Sequence, residues 1–186
     1  MNSISSRVTR FCLQMNLIDD DQAEWCIYSV QTFLINSSGF LFLMVIGILL
    51  APWPQVLVLN LGVAFLRSKA GGLHMPTPLS CFLVSLLFEA GSLLALPFIS
   101  LQTAICLLAL SVGVLWSTGP CNNQSIHCSG DELIIMKCEL KKRLSMFVIA
   151  TLVLFVLTPF VANAMVTAAA VVSVSVALSK AGLGIQ

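Results

Sequence analysis

Charged residues divide the chain into long apolar stretches. Residues 25–66 (42 positions), 90–130 (41) and 144–179 (36) contain no Asp, Glu, Lys or Arg. A helix crossing a bilayer needs about 20 predominantly apolar residues and sometimes as few as 17. Each stretch therefore predicts a pair of helical segments joined by a short turn, or one span with a loop. Prolines supply the breaks: Pro52 and Pro54 around Trp53, then Pro97, then Thr158-Pro159 with Asn163 nearby. Six segments result, roughly 27–51, 55–66, 78–96, 98–116, 144–158 and 160–179. The second is short for a full crossing and reads as re-entrant, or as a helix running on past Arg67. Four to six full spans fit this pattern.

The nine basic residues fall on one side of it. Arg7 and Arg10 precede the first segment, Arg67 and Lys69 follow the second, Lys137, Lys141, Lys142 and Arg143 follow the fourth, and Lys180 follows the sixth. The positive-inside rule then predicts that both termini and the even connections face the cytoplasm. Ahead of the first segment, Ile4, Val8, Phe11, Cys12 and Met15 recur at helical spacing with Arg7, Arg10 and Gln14 elsewhere on the wheel. This predicts an amphipathic helix on the cytoplasmic leaflet, or a cap packed on the bundle. Asp21 and Glu24 stand at capping-box spacing before the first long helix. The organisation is a segment 1–24 at the cytoplasmic face and one polytopic membrane domain, 25–186, with polar loops at 67–81 and 117–143.

Composition agrees. With 58% hydrophobic residues, 9% charged residues and a mean hydropathy of +0.99, the chain has more apolar surface than one water-soluble core of this length could bury. The fold class is an all-α integral membrane protein. A net charge of +1 excludes the dense basic surface of a nucleic-acid binder. Seven cysteines, an odd number with several inside apolar runs, argue for reduced thiols and not a secreted disulfide framework. The N-terminus lacks the unbroken apolar region of a cleavable signal peptide, so the protein is expected to keep its start.

Reactive side chains concentrate between Arg67 and Cys81. On one continuous helix His74 and Cys81 would share a face but stand about 10.5 Å apart along the axis. Pro76 and Pro78 break that helix, leaving His74 on a loop able to fold over the next one. Thr77 reads as the N-cap and Pro78 as the first helical residue, which puts Cys81 in the opening turn. A helix N-terminus and an adjacent imidazole both favour thiolate, and the imidazole can serve as base and then acid. Gly71-Gly72 permits backbone geometry closed to other residues and offers amides for a tetrahedral oxyanion. Arg67 could bind a substrate carbonyl or carboxylate, or fix the loop. The plainer alternative is a packing cysteine, a histidine bonded to backbone, and Arg67 and Lys69 as topology signals.

The order Arg67-x4-Gly72-x-His74-x6-Cys81 resembles the signature of accessory gene regulator protein B (AgrB), the membrane cysteine endopeptidase of peptide quorum sensing. Length, hydropathy, the amphipathic start and a basic loop before the last two apolar segments are also similar, so the resemblance covers nearly the whole chain. It implies that Cys81 is the nucleophile and His74 its base. The partner it implies is an amphipathic propeptide of the AgrD type, cut near its C-terminus and held as an acyl-thioester. An internal Cys or Ser of the peptide then closes a thiolactone or lactone. No cofactor or metal is implied.

The second polar loop departs from the family. In place of a Pro/Asn/Lys-rich stretch it has Gly119 to Glu132, with its basic cluster later at Lys141-Lys142-Arg143. Those three charges are expected either to recruit an acidic propeptide tail or to act as retention signals. Cys121, His127, Cys128 and Cys138 have ligand types suited to zinc, but neither C-x2-C nor H-x3-H spacing occurs. Glu89, an intramembrane carboxylate, supports a competing class: a transporter or peptide-export component using Arg67 and Glu89. Eight residues beyond Cys81, it lies about 80° around and 12 Å along a regular helix, too far to orient His74. Small residues from Ala162 to Ala170 suit close helix contact and a homodimer.

Overall fold

The computed structural model describes residues 2–73, 75, 77–121 and 130–183. His74, His127 and Cys128 lie outside the described residues. Among the described residues the chain forms seven α-helices and no strand: α1 (Asn2–Gln14), α2 (Ala23–Leu50), α3 (Trp53–Ala70), α4 (Pro78–Ala95), α5 (Leu101–Thr118), α6 (Gly130–Leu157) and α7 (Pro159–Lys180). The protein is an all-α membrane protein. Among the described residues four stretches are long and apolar enough to cross a bilayer: Asp20–Leu50, Leu79–Phe98, Leu101–Thr118 and Pro159–Lys180.

Each predicted segment corresponds to a helix; α3 follows the reading in which it runs on past Arg67, and α6 is longer than hydropathy suggested. α3 runs on through Arg67 and Lys69 to Ala70, and α6 starts at Gly130, well before its apolar half. Cations in the last turn of α3 and Asp131 and Glu132 in the first turn of α6 match the sign of the helix macrodipole at those ends. Charge there continues the helix while ending its apolar part. At the start of α2 the capping-box expectation fails. Asp21 lies inside a 3-10 turn, Asp20–Gln22, that leads straight into the helix, so it cannot act as N-cap, although Glu24 does occupy the first turn.

The chain divides into compact units of residues 1–42 and 43–186. In the first unit α1 buries Ser5 and Thr9, while Ile4, Val8 and Phe11 stay exposed. Gln31 of α2 donates to Ser5 Oγ at 3.3 Å. On α1 the small polar face, and not the apolar stripe, is the buried one.

The second unit is organised around α3 and α7, which pack along each other, with α5 and α6 alongside. Val56, Leu66 and Ala70 of α3 and Ala164, Ala168 and Ala169 of α7 are fully buried. A Cβ added to Gly62 would stand 2.9 Å from the Ala168 Cβ, so glycine and alanine bring the backbones close as small residues do in membrane bundles. The small-residue stripe expected to suit a homodimer is thus consumed within the chain: Ala162, Ala164, Ala168 and Ala169 are all buried. Elsewhere large apolar groups face outward, Leu49 at 81% and Val156 at 83% exposure. Such exposure is stable in lipid and costly in water.

Burial also explains the polar residues of α3. Gln55 donates to the Phe160 carbonyl at 2.8 Å, Asn60 to Glu89 at 2.7 Å and Arg67 to the Leu73 carbonyl at 2.9 Å. A helix enclosed by protein can carry such groups because each finds its partner there.

Candidate active site

The site forms where α3 stops and α4 begins. Gly71 closes α3, its N–H donating to the Arg67 carbonyl at 2.9 Å with φ of 71°, and Gly72 follows at φ 146°. Both values lie where L side chains are strained. Gly72 is also sterically fixed, since a Cβ there would stand 2.6 Å from Ser175 Oγ of α7. That hydroxyl accepts a hydrogen bond from the Leu73 N–H at 2.9 Å, while Arg67 holds the Leu73 carbonyl from the other side. The turn is pinned at both its amide and its carbonyl.

A second support comes from the far side of the bundle. The Cys121 N–H donates to the Ala70 carbonyl at 3.0 Å, and a Cβ on Gly71 would meet the Cys121 Cβ at 3.3 Å. Cys121 is buried, with its thiol 3.8 Å from the Val176 carbonyl. It belongs to the foundation of the turn. Cys138 is exposed on α6, and among the described residues no three His, Cys, Asp or Glu side chains cluster as metal ligands do.

The start of α4 follows the expected caps. Thr77 is the N-cap and accepts from the Ser80 N–H at 3.2 Å; Ser80 returns the bond to the Thr77 N–H at 3.3 Å, completing a capping box, and Pro78 opens the helix. The Cys81 N–H makes the first intrahelical bond, to the Thr77 carbonyl at 3.0 Å. The Cys81 side chain, half-buried, lines a cavity of about 90 Å³. Cys81, Val84, Ser85, Phe88, Glu89 and Ser92 all line it, and their spacing of three, four, seven, eight and eleven residues makes them one helical face. Leu73 and Met75, which flank His74 in sequence, line the same cavity, as do Asn60, Arg67 and Ser175.

At the far end of this face Glu89 is 6% exposed. Its Oε1 accepts from Asn60, which also donates to the Val56 carbonyl at 3.1 Å. Its Oε2 is buried with no hydrogen-bond partner among the described residues. Across this corner a Cβ on Gly47 would stand 2.8 Å from Glu89 Oε1 and 2.5 Å from Val56, so α2 approaches the couple closely.

The basic cluster is largely occupied with tying helices together. Arg143 donates to Ser68 Oγ at 2.6 Å and to the Phe65 carbonyl at 3.1 Å, and its guanidinium lies 5.2 Å from the Phe65 ring centre. Lys141 stands 4.8 Å over Trp116, and Lys142 is exposed. Lys69 pairs with Glu139 at 3.2 Å. That hydrogen bond and charge, with smaller help from Lys142 and Arg143, hold the Glu139 carboxyl below its ordinary range.

Sequence reasoning singled out Arg67, Gly71, Gly72 and Cys81, and the structure brings them together around one turn and cavity. It missed Ser175 and Asn60, and it considered Cys121 only as a metal ligand. Asn60 carried a signal: a polar residue in an apolar segment, seven positions before Arg67 and so on its face. Ser175 carried none, being one of several serines on α7.

No curated protein and no solved structure matches the chain. The family model described as accessory gene regulator B matches residues 4–180, nearly its whole length. The chain therefore belongs to the accessory gene regulator B family, multi-pass membrane proteins of the agr quorum-sensing system whose substrate is a propeptide.

Proposed function

We propose that the protein is a cysteine endopeptidase that cuts its propeptide near the C-terminus and cyclises the released N-terminal part. The observation that carries this reading is the placement of Cys81 in the first turn of a capped helix, opening into a cavity that the residues on either side of His74 also line. His74 takes the Cys81 proton as the sulfur attacks the scissile carbonyl, and gives it to the departing amine. This leaves an acyl-thioester on Cys81. A thiol or hydroxyl within the same peptide then attacks that carbonyl, the ring closes, and the Cys81 thiol is regenerated. Holding both ends of one peptide at the site makes the transfer unimolecular.

Arg67, Gly71 and Gly72 shape the turn: the Gly71 amide closes α3 and one Arg67 N–H holds the Leu73 carbonyl. Arg67 has further N–H donors and lines the cavity, so it also serves a substrate carbonyl or carboxylate. Lys141, Lys142 and Arg143 recruit an acidic propeptide tail on the cytoplasmic side, where both termini and the catalytic turn lie; exposed Lys142 is the member most open to it. A transporter using Arg67 and Glu89 is the second reading, favoured by their sharing the cavity. It predicts tolerance of Cys81→Ser and loss of function on Glu89→Gln.

Intact mass spectrometry of purified protein in lipid, mixed with propeptides encoded beside it, tests the proposal. An adduct is expected on Cys81, absent in Cys81→Ala and slowed about a hundredfold or more in His74→Ala. Lack of any adduct, with Cys81 alkylated no faster than exposed Cys138, would overturn it.

A further inference from the structure

The peptidase reading uses only one end of the cavity. The other end holds a buried carboxyl with one oxygen bonded to Asn60 and the other, Oε2, without a partner among the described residues. Burying a polar atom unpaired costs free energy that a ligand can recover by pairing with it. Between the two ends the α4 wall offers Val84 and Phe88 with Ser85, and α3 contributes Leu59. The space is mostly apolar with a polar terminus, as ligand sites usually are. A helical segment commits its interior amides to its own carbonyls, so an extended one is better able to pair with the carboxyl.

Resting on the proposed chemistry at Cys81, we infer that this cavity is the subsite for the acyl side of the substrate, which enters extended and hydrogen-bonds Glu89 Oε2 through a backbone amide three to four residues before the scissile carbonyl. The register follows from geometry. Eight helical residues from Cys81 to Glu89 span about 12 Å, and an extended chain advances about 3.3 Å per residue. The ligand class follows from chemistry. A peptide group carries both an N–H donor and a carbonyl acceptor, so it satisfies Oε2 whether the carboxyl is ionised or protonated. Asn60 is a positioning residue here, fixing the carboxyl from α3 so that its second oxygen meets the peptide.

The test uses N-acetyl oligoalanine benzyl thioesters of one to six residues and wild-type protein in lipid vesicles. Cys81 sulfur attacks the thioester carbonyl, a new carbon–sulfur bond forms, and benzyl thiol leaves with the proton that Cys81 gives up. Intact mass gives the rate for each length. The inference expects a rise of about tenfold as the peptide grows from three to five residues, the size of one buried hydrogen bond. Replacing one amide at a time by an ester, which removes the N–H and weakens the carbonyl, should abolish the rise at a single position. Glu89→Ala should remove both the length step and the ester sensitivity; the ester scan needs no altered protein, so it stands even if that variant does not fold. Acylation of Cys81 that is indifferent to length and to every ester would overturn the subsite while leaving the peptidase reading intact. Acylation of Cys81 no faster than of Cys138 would overturn both.

Discussion

The two helices that meet at the site are packed to different depths. α3 buries much of its surface: Val56, Leu66 and Ala70 have none exposed and even Gln55 and Asn60 are buried, while Trp53 and Leu61 face outward. α4 presents Leu79, Leu83, Leu87 and Leu94 outward, and its buried residues include the polar Glu89 and Ser92. One wall of the cavity is thus core and the other faces lipid. Cys81 sits on the second wall, and the first wall holds, through Arg67, the turn that precedes its helix. Such a division puts geometric precision on the more deeply buried helix.

The sharpest way to break this arrangement is at the turn. Gly72→Ala adds a methyl 2.6 Å from Ser175 Oγ at a φ of 146°, and displacement of catalytic groups by about 1 Å can cost a hundredfold in rate. Acylation of Cys81 is expected to fall by about that factor, with the cap at Thr77 and the fold retained, as checked by circular dichroism. Next comes the contrast between the walls themselves. Gly62→Ala forces α3 and α7 apart and should destabilise the bundle by about 1–3 kcal/mol, whereas Leu87→Ala, at a position 73% exposed, should change stability by less than about 0.5 kcal/mol. Chemical unfolding in mixed micelles compares the two. If Leu87→Ala proves as costly as Gly62→Ala, the contrast drawn between α3 and α4 is wrong.

Removing the cap with Thr77→Ala should cost about 1 kcal/mol and slow Cys81 acylation, because the capping box sets the backbone that carries the thiol. The smallest effect belongs to the Lys69–Glu139 bridge. Lys69 depresses the Glu139 carboxyl, so the bridge stabilises above the ordinary carboxylate range and is lost as pH falls through the lowered value. At this exposed pair the gain is slight. Unfolding midpoints followed from neutral pH downward should fall a little less steeply in Glu139→Gln than in the natural protein.

Much of this was legible in the sequence, and the parts that were not share one cause. Charge-free apolar stretches and prolines located the six segments, and Thr77-Pro78 marked the start of the Cys81 helix because caps are local chemistry. Charge marks where a chain leaves the apolar environment, which is a different boundary from the end of a helix; hence α3 continues through Arg67 and α6 begins fourteen residues before Leu144. Long-range partners were beyond reach for a similar reason. Leu73 and Ser175 are 102 residues apart, and nothing in the spacing of the α7 serines distinguishes the one that holds the turn. The small residues of α7 were recognised as a contact face, but only packing could tell that the face is used within the chain.

The pairing of Gly72 with Ser175 constrains how this site can change over generations. Any side chain at 72 collides with the hydroxyl that holds the turn, and loss of that hydroxyl leaves the buried Leu73 amide without its acceptor. A position in the turn and one on α7, far apart in sequence, are therefore coupled, and neither can drift alone. Diversification for new peptides is channelled toward the cavity walls, where one apolar residue can replace another without disturbing the turn.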